Sequence, residues 1–173
     1  MAHKKSFIVQ YRRKREFKTD YKKRLDLLKS GKTRLVVRPS NKHVFVQLVN
    51  YAEEGDRVVA SAHSKELKEL GWNHSTSNTP AAYLTGLLCG VRGRKHKIEE
   101  AVLDNGLLTA IKGSRIFASL KGCIDSGVKV PVGEEILPDE SRIQGKHVAG
   151  HVKRSADIVS DFAKTKDNIL KSK

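Results

Sequence analysis

The first 42 residues hold fifteen lysines and arginines against three acids, Glu16, Asp20 and Asp26, a surplus of twelve positive charges in a quarter of the chain. A segment so charged repels itself and cannot collapse into a core of its own. Residues 43–173 carry nineteen bases and sixteen acids and read as a nearly neutral globular body. The net charge of +15 is therefore concentrated at one end. Segregation of this kind is the footprint of a polyanionic partner, and 173 residues suit one domain that supports a charged arm.

Aromatic side chains sharpen the reading. Phe7, Tyr11, Phe17 and Tyr21 stand among the early cations. A solvated, disordered tail is the plain alternative, but it has no use for rings, whereas a nucleic-acid arm can stack them on bases and riboses. A membrane-surface arm needs a clean apolar helical face, which Tyr11-Arg12-Arg13-Lys14-Arg15 lacks. The longest aliphatic runs are as short as Leu35-Val36-Val37, so no spanning helix and no membrane partner are expected. No apolar stretch of signal-peptide length follows the opening Met-Ala-His-Lys-Lys. With only Cys89 and Cys123, both expected as reduced buried thiols, the chain reads as cytoplasmic.

Residues 1–18 read as an extended arm. Thr19 is placed to cap a helix over residues 20–30, in which Tyr21, Leu25 and Leu28 share a side and Gly31 supplies the stop. That side is expected to dock on the body, leaving Lys22, Lys23, Arg24 and Lys29 toward phosphates. Residues 34–38 and 43–50 read as strands joined by Pro39-Ser40-Asn41-Lys42. In the second strand Val44, Val46 and Leu48 form a core face. His43, Phe45 and Gln47, beside Arg38 and Lys42, form the other, either a half-buried face under a helix or one that contacts RNA.

A third strand over 57–62 follows, then a short helix capped by Ser64, then a long helix opened by Thr79-Pro80. The long helix carries Leu84, Leu87, Leu88 and Val91 at core spacing, and Gly86, Gly90 and Gly93 are expected to admit the sheet. It ends in a second basic cluster, Arg92, Arg94, Lys95, His96 and Lys97. A strand at 100–104, a helix capped by Ser114 and ending at Gly127, an extended segment at 128–131 and helices from Ser141 onward complete the chain. The expected fold is α/β, a mixed β-sheet with helices on its faces. Its expected parts are a basic arm and short helix (1–33), an α/β globular domain (34–150) and a C-terminal helical tail (151–173).

Catalytic chemistry finds no foothold. Cys89 and Cys123 are far apart, and His147 and His151 lack a third ligand, so no metal site and no cofactor are expected. Phosphate-loop, dinucleotide and nucleophile-elbow motifs are absent. Asp104 closes a strand where a nuclease carboxylate would stand, but a single carboxylate cannot build a two-metal site.

Several blocks carry a family resemblance. Lys18-Thr-Asp-Tyr-Lys-Lys-Arg-Leu-Asp-Leu-Leu-Lys-Ser-Gly31 and Arg34-Leu-Val-Val-Arg-Pro-Ser-Asn-Lys-His-Val-Phe-Val-Gln-Leu48 resemble the opening of the L-eighteen family of large-subunit ribosomal proteins. Asn78-Thr-Pro-Ala-Ala-Tyr-Leu-Thr-Gly-Leu-Leu88 and Glu99-Glu-Ala-Val-Leu-Asp104 are similar to its middle. Gly113-Ser-Arg-Ile-Phe-Ala-Ser-Leu-Lys-Gly-Cys-Ile-Asp-Ser-Gly127 and Arg142-Ile-Gln-Gly-Lys-His147 are similar to its later part, and the length resembles archaeal members. The chain departs from the pattern at Val132, where a histidine is usual, and at Asn105, where an aliphatic residue is usual.

The resemblance implies a ribonuclease-H-like motif of the translational machinery without nuclease carboxylates. It further implies a structural protein that binds 5S rRNA and helps attach it to 23S rRNA in the central protuberance, beside a neighbouring 5S-binding ribosomal protein. By motif the RNA contacts fall on the arm, on Tyr21–Arg24 and on the Arg38–Phe45 hairpin. With the charge pattern, the candidate RNA-binding residues are Tyr11, Arg12, Arg13, Lys14, Arg15, Lys18, Tyr21, Lys22, Lys23, Arg24, Lys29, Lys32, Arg34, Arg38, Ser40, Asn41, Lys42, His43, Phe45, Gln47, Arg92, Arg94 and Lys95. The rival readings are a non-specific nucleic-acid-coating protein and an RNA-processing nuclease of related fold.

Overall fold

A computed structural model describes residues 8–152 and 157–171. The expectations for Phe7 and the opening lysines, and for the parts of the C-terminal tail at 153–156 and 172–173, lie outside the described residues. Four strands form one sheet: β1 (Thr33–Pro39), β2 (Val44–Asn50), β3 (Arg57–His63) and β4 (Ala101–Asp104), in the order β3-β2-β1-β4. β1–β2 and β2–β3 are antiparallel neighbours, and β4 runs parallel to β1. The sheet is therefore mixed, as expected.

Alternation sorts its two faces. Leu35, Val37, Val44, Val46, Leu48, Ala60, Ala62 and Ala101 are buried on one face. Helices α3 (Thr79–Lys95) and α4 (Arg115–Asp125) cover it. On the other face stand Arg34, Val36, Arg38, Phe45, Gln47 and Asp104. A register irregularity between Leu48 and Val49 pairs Leu48 with Ala60 but Val49 with Val58, so one extra β3 residue, Val59, is accommodated there.

Helix starts differ from expectation in instructive ways. α2 (Tyr21–Lys29) is capped by Asp20, whose side chain accepts from the Lys22 and Lys23 N–H groups, and not by Thr19. α3 is capped by Asn78, accepting from the Ala81 N–H, with Pro80 in the first turn. A 3-10 turn at Ser64–Lys68 is capped by His63, while the Ser64 hydroxyl accepts from the Val44 N–H. Ser114 precedes α4 without a side-chain cap, and its buried hydroxyl has no partner among the described residues. The arm is not wholly extended: Arg12–Arg15 form one helical turn, α1.

Gly86 and Gly90 face α4, not the sheet. A Cβ at Gly86 would lie 1.9 Å from the Ser119 carbonyl oxygen, and one at Gly90 would lie 3.2 Å from the Cys123 Cα. Gly93 alone meets the sheet, through Leu48. Short helices α5 (Glu140–Ile143) and α6 (Lys146–His151) lead to α7 (Ile158–Lys171), which packs on α3. There Phe162 meets Tyr83 with ring centroids 5.5 Å apart, and Ile158 and Ile169 are fully buried. Cys89 and Cys123 are free and buried, and burial pushes the Cys89 thiol up to about 12. No helix among the described residues is long and apolar enough to cross a membrane.

Candidate nucleic-acid interface

The outward cations stand on α1, on α2 and at the hairpin tip. Arg12, Arg13, Lys14, Arg15 and Lys18 are all exposed, as are Lys22, Lys29, Lys32, Asn41 and Lys42. Tyr11 packs against Tyr21 with centroids 5.2 Å apart, and Tyr11 and Phe17 remain largely exposed. Large rings left in water beside guanidinium groups are the equipment for stacking on unpaired bases. Glu16 pairs with Arg12 at 3.7 Å and Lys18 at 2.9 Å. Lys29 and Lys32 likewise meet Asp26 and Glu100 in exposed pairs. Such pairs contribute little in water and open readily to a stronger anion.

α2 lies over the outer face of the sheet, but only in part by the side expected: Tyr21 and Leu28 are half-buried. Leu25 is exposed, whereas Lys23 and Arg24 turn inward. The Lys23 ammonium donates to Asn105 Oδ1 and to the Gly106 carbonyl, and Arg24 Nη2 lies 2.9 Å from Asp56 Oδ1. The helix is thus tethered by two polar bridges, and both cations are withdrawn from the outward set. Asn105 serves as one of its anchors, and its own amide donates to the Leu108 carbonyl.

Arg34 departs furthest from the outward set. It is 3% exposed, with Nη1 donating to Asp104 Oδ2 at 3.0 Å and Nη2 2.7 Å from Asp56 Oδ2. The cause is strand register. Asp104 pairs with Val36, so residues two before and two after it on β1, Arg34 and Arg38, flank the carboxylate diagonally. Arg38 donates to Asp104 Oδ1 and to the Asp104 and Val37 carbonyls, while keeping part of its side chain in solvent. Burial alone would raise the Asp104 carboxyl. Arg38, bonded to it, then the Gly106 N–H and Arg34 outweigh burial and hold it below the ordinary carboxylate range.

Asp104 is therefore an ion-pair hub and not a free nuclease carboxylate. Asp104→Asn should destabilise the fold by roughly 3 kcal/mol, since Arg34 would stay buried with Asp56 as its remaining anion. An unchanged urea midpoint would refute that role.

At the hairpin end the outer face carries a ring cluster. His43 and His63 lie 4.8 Å apart, and Phe45 and His63 5.8 Å apart. His63 was not anticipated, because the third strand was expected to stop at Ala62; pairing of His63 with Phe45 extends it by one residue. Partial burial, then His63 and the lysines Lys68, Lys65 and Lys42, hold the His43 imidazole below its usual value. Its Nδ1 lies 3.1 Å from Thr76 Oγ1, so His43 is partly committed to the fold. The Ser40 hydroxyl is committed as well, accepting from the His43 N–H and donating to the His43 carbonyl. Arg115, not singled out by sequence, braces the tip through the Ser40 and Ser77 carbonyls. Gln47 is half-buried beneath α2.

Arg92, Arg94 and Lys95 are not brought to this surface. They sit at the C-terminal end of α3, on the opposite side of the sheet. Arg92 is held by Glu66 and the Ser61 carbonyl, and Arg94 points to the Gly127 carbonyl. Cations there answer the negative end of the helix. Among the described residues, no group of three or more His, Cys, Asp or Glu side chains is arranged to hold a metal ion.

Residues 5–98 match a family profile described as ribosomal large subunit proteins 60S L5 and 50S L18. The chain is 55% identical over 148 residues to large ribosomal subunit protein uL18 of Methanothermobacter thermautotrophicus, an alignment covering 86% of this chain and 77% of that one. It is 50% identical over 154 residues to the uL18 protein of Korarchaeum cryptofilum, covering 89% and 79% of the two chains. With that of Methanobrevibacter smithii it shares 45% identity, covering 98% of this chain and 97% of the relative.

Proposed function

Because the chain belongs to the family of large ribosomal subunit proteins that includes 50S L18, we propose that it binds 5S rRNA and helps attach that RNA to 23S rRNA in the central protuberance. As a member of that family it is a structural component of the large subunit and not an enzyme. The observation that carries the finer reading is the grouping of exposed cations with Tyr11 and Phe17 on α1 and its flanks. Cations set the affinity for phosphates, and the rings select unpaired, structured RNA over uniform duplex.

In this division of labour, residues 1–33 engage RNA, residues 34–150 aim them, and α7 of the C-terminal tail braces α3. Phe45, Asn41 and Lys42 extend the contact along the hairpin. The neighbouring partner is a second 5S-binding ribosomal protein.

Competition tests the reading. Labelled 5S rRNA bound to the full chain should survive an excess of duplex DNA. Release by that DNA would favour a general coating protein. Removing residues 1–18 should weaken binding severely with a nearly unchanged circular dichroism spectrum, because none of residues 8–18 belongs to the core. Undiminished binding would move the site to the sheet.

A further inference from the structure

We infer that the space between α2 and the outer face of the sheet is a pocket for one phosphate group, with the Arg34 guanidinium at its floor. This deepens the RNA-binding reading and rests on it for the natural source of the phosphate. The cavity is about 240 Å3, and six cations line it (Arg13, Lys18, Lys23, Arg24, Arg34, Arg38) against three carboxylates, Asp20, Asp56 and Asp104.

The carboxylates are already spent. Asp20 caps α2, Asp56 holds Arg24 and Arg34, and Asp104 holds Arg34 and Arg38. Arg13 and Lys23 donate to neutral oxygens, those of Thr19, Asn105 and Gly106, and among the described residues neither forms an ion pair.

The independent sign is Arg34 itself. At 3% exposure its Nε has no hydrogen-bond partner among the described residues, and Nη2, though close to Asp56, makes no aligned hydrogen bond there. Buried donors are nearly always satisfied, and a guanidinium left short inside a cationic cavity calls for an oxyanion. Arg13 and Lys18 line the cavity and are exposed, so its mouth opens toward α1, where the RNA backbone would run. The phosphate is either a diester of that backbone or free inorganic phosphate.

The side-chain N–H resonance of Arg34 Nε in the labelled full chain gives the test. Inorganic phosphate at constant ionic strength, with chloride as control, should shift it saturably. A short 5S rRNA fragment should produce a comparable shift at lower concentration if the backbone is the source. Gln47→Glu, which places a carboxylate in the cavity wall, should abolish both shifts, and Arg34→Lys should weaken RNA binding on the order of 10- to 100-fold, as for one lost charge-assisted hydrogen bond. If Arg34→Lys fails to fold, the Gln47→Glu comparison decides alone.

Equal shifts in chloride, or no shift while RNA binds tightly, would overturn the pocket and leave the RNA-binding reading standing. A phosphate shift in a chain that ignores 5S rRNA would keep the pocket and sink that reading.

Discussion

Raising the salt from about 50 to 200 mM should weaken the complex with 5S rRNA on the order of 10³–10⁵-fold, the loss expected when 6–10 phosphates are neutralised. The argument rests on which cations are available. Arg12, Arg13, Lys14, Arg15, Lys18, Lys22, Lys29 and Lys42 are exposed, and their carboxylate pairs are solvent-screened contacts with Glu16 and Asp26. Exchange of such a pair for phosphate costs little and releases counterions from the RNA. Arg24 and Arg92, by contrast, are held in ion pairs on the body and should add little to the slope. Filter binding across a salt series measures this directly. A nearly flat response would mean that the charged end is not the RNA surface.

The distribution of charge and the strand alternation were legible because both are local. Val44, Val46 and Leu48 fall on the core face as their spacing requires, and Gly31 ends α2 with φ +64°. What stayed hidden depended on partners distant in sequence. Arg34 reads as one more cation of the basic segment until β4 is placed beside β1. That pairing brings in a carboxylate seventy positions away.

Lys23 and Arg24 follow the same logic. Their acceptors, Asn105, Gly106 and Asp56, lie on loops at the sheet's ends, so the helix docks through cations while Leu25 stays in water. Capping was legible only in kind. A polar residue was expected at each helix start, and the choice of Asp20 over Thr19, or Asn78 over Thr79, followed from backbone geometry one residue away.

Gly122→Ala should cost more than about 3 kcal/mol and leave the chain largely unfolded, beyond the usual range for overpacking. A Cβ at Gly122 would stand 2.1 Å from the Tyr83 carbonyl oxygen and 2.8 Å from the Leu87 nitrogen, all backbone of α3. Gly86 on α3 faces the Ser119 backbone of α4 in the reciprocal way. Neither contact can be relieved by a side-chain rotation, so the two helices would have to separate. Their inner surfaces carry Leu84, Leu87, Ile116 and Leu120, which would then lose their packing. Gly150 is the control: it lies in α6 with nothing among the described residues within 4 Å, and Gly150→Ala should be neutral or stabilising by up to roughly 1 kcal/mol. Loss of RNA binding in Gly122→Ala would accompany loss of the circular dichroism signal, whereas removal of residues 1–18 should weaken binding on an intact fold. A Gly122→Ala chain that melts like the parent would show that α3 and α4 are not in close backbone contact, and the scaffold beneath the sheet would need to be redrawn.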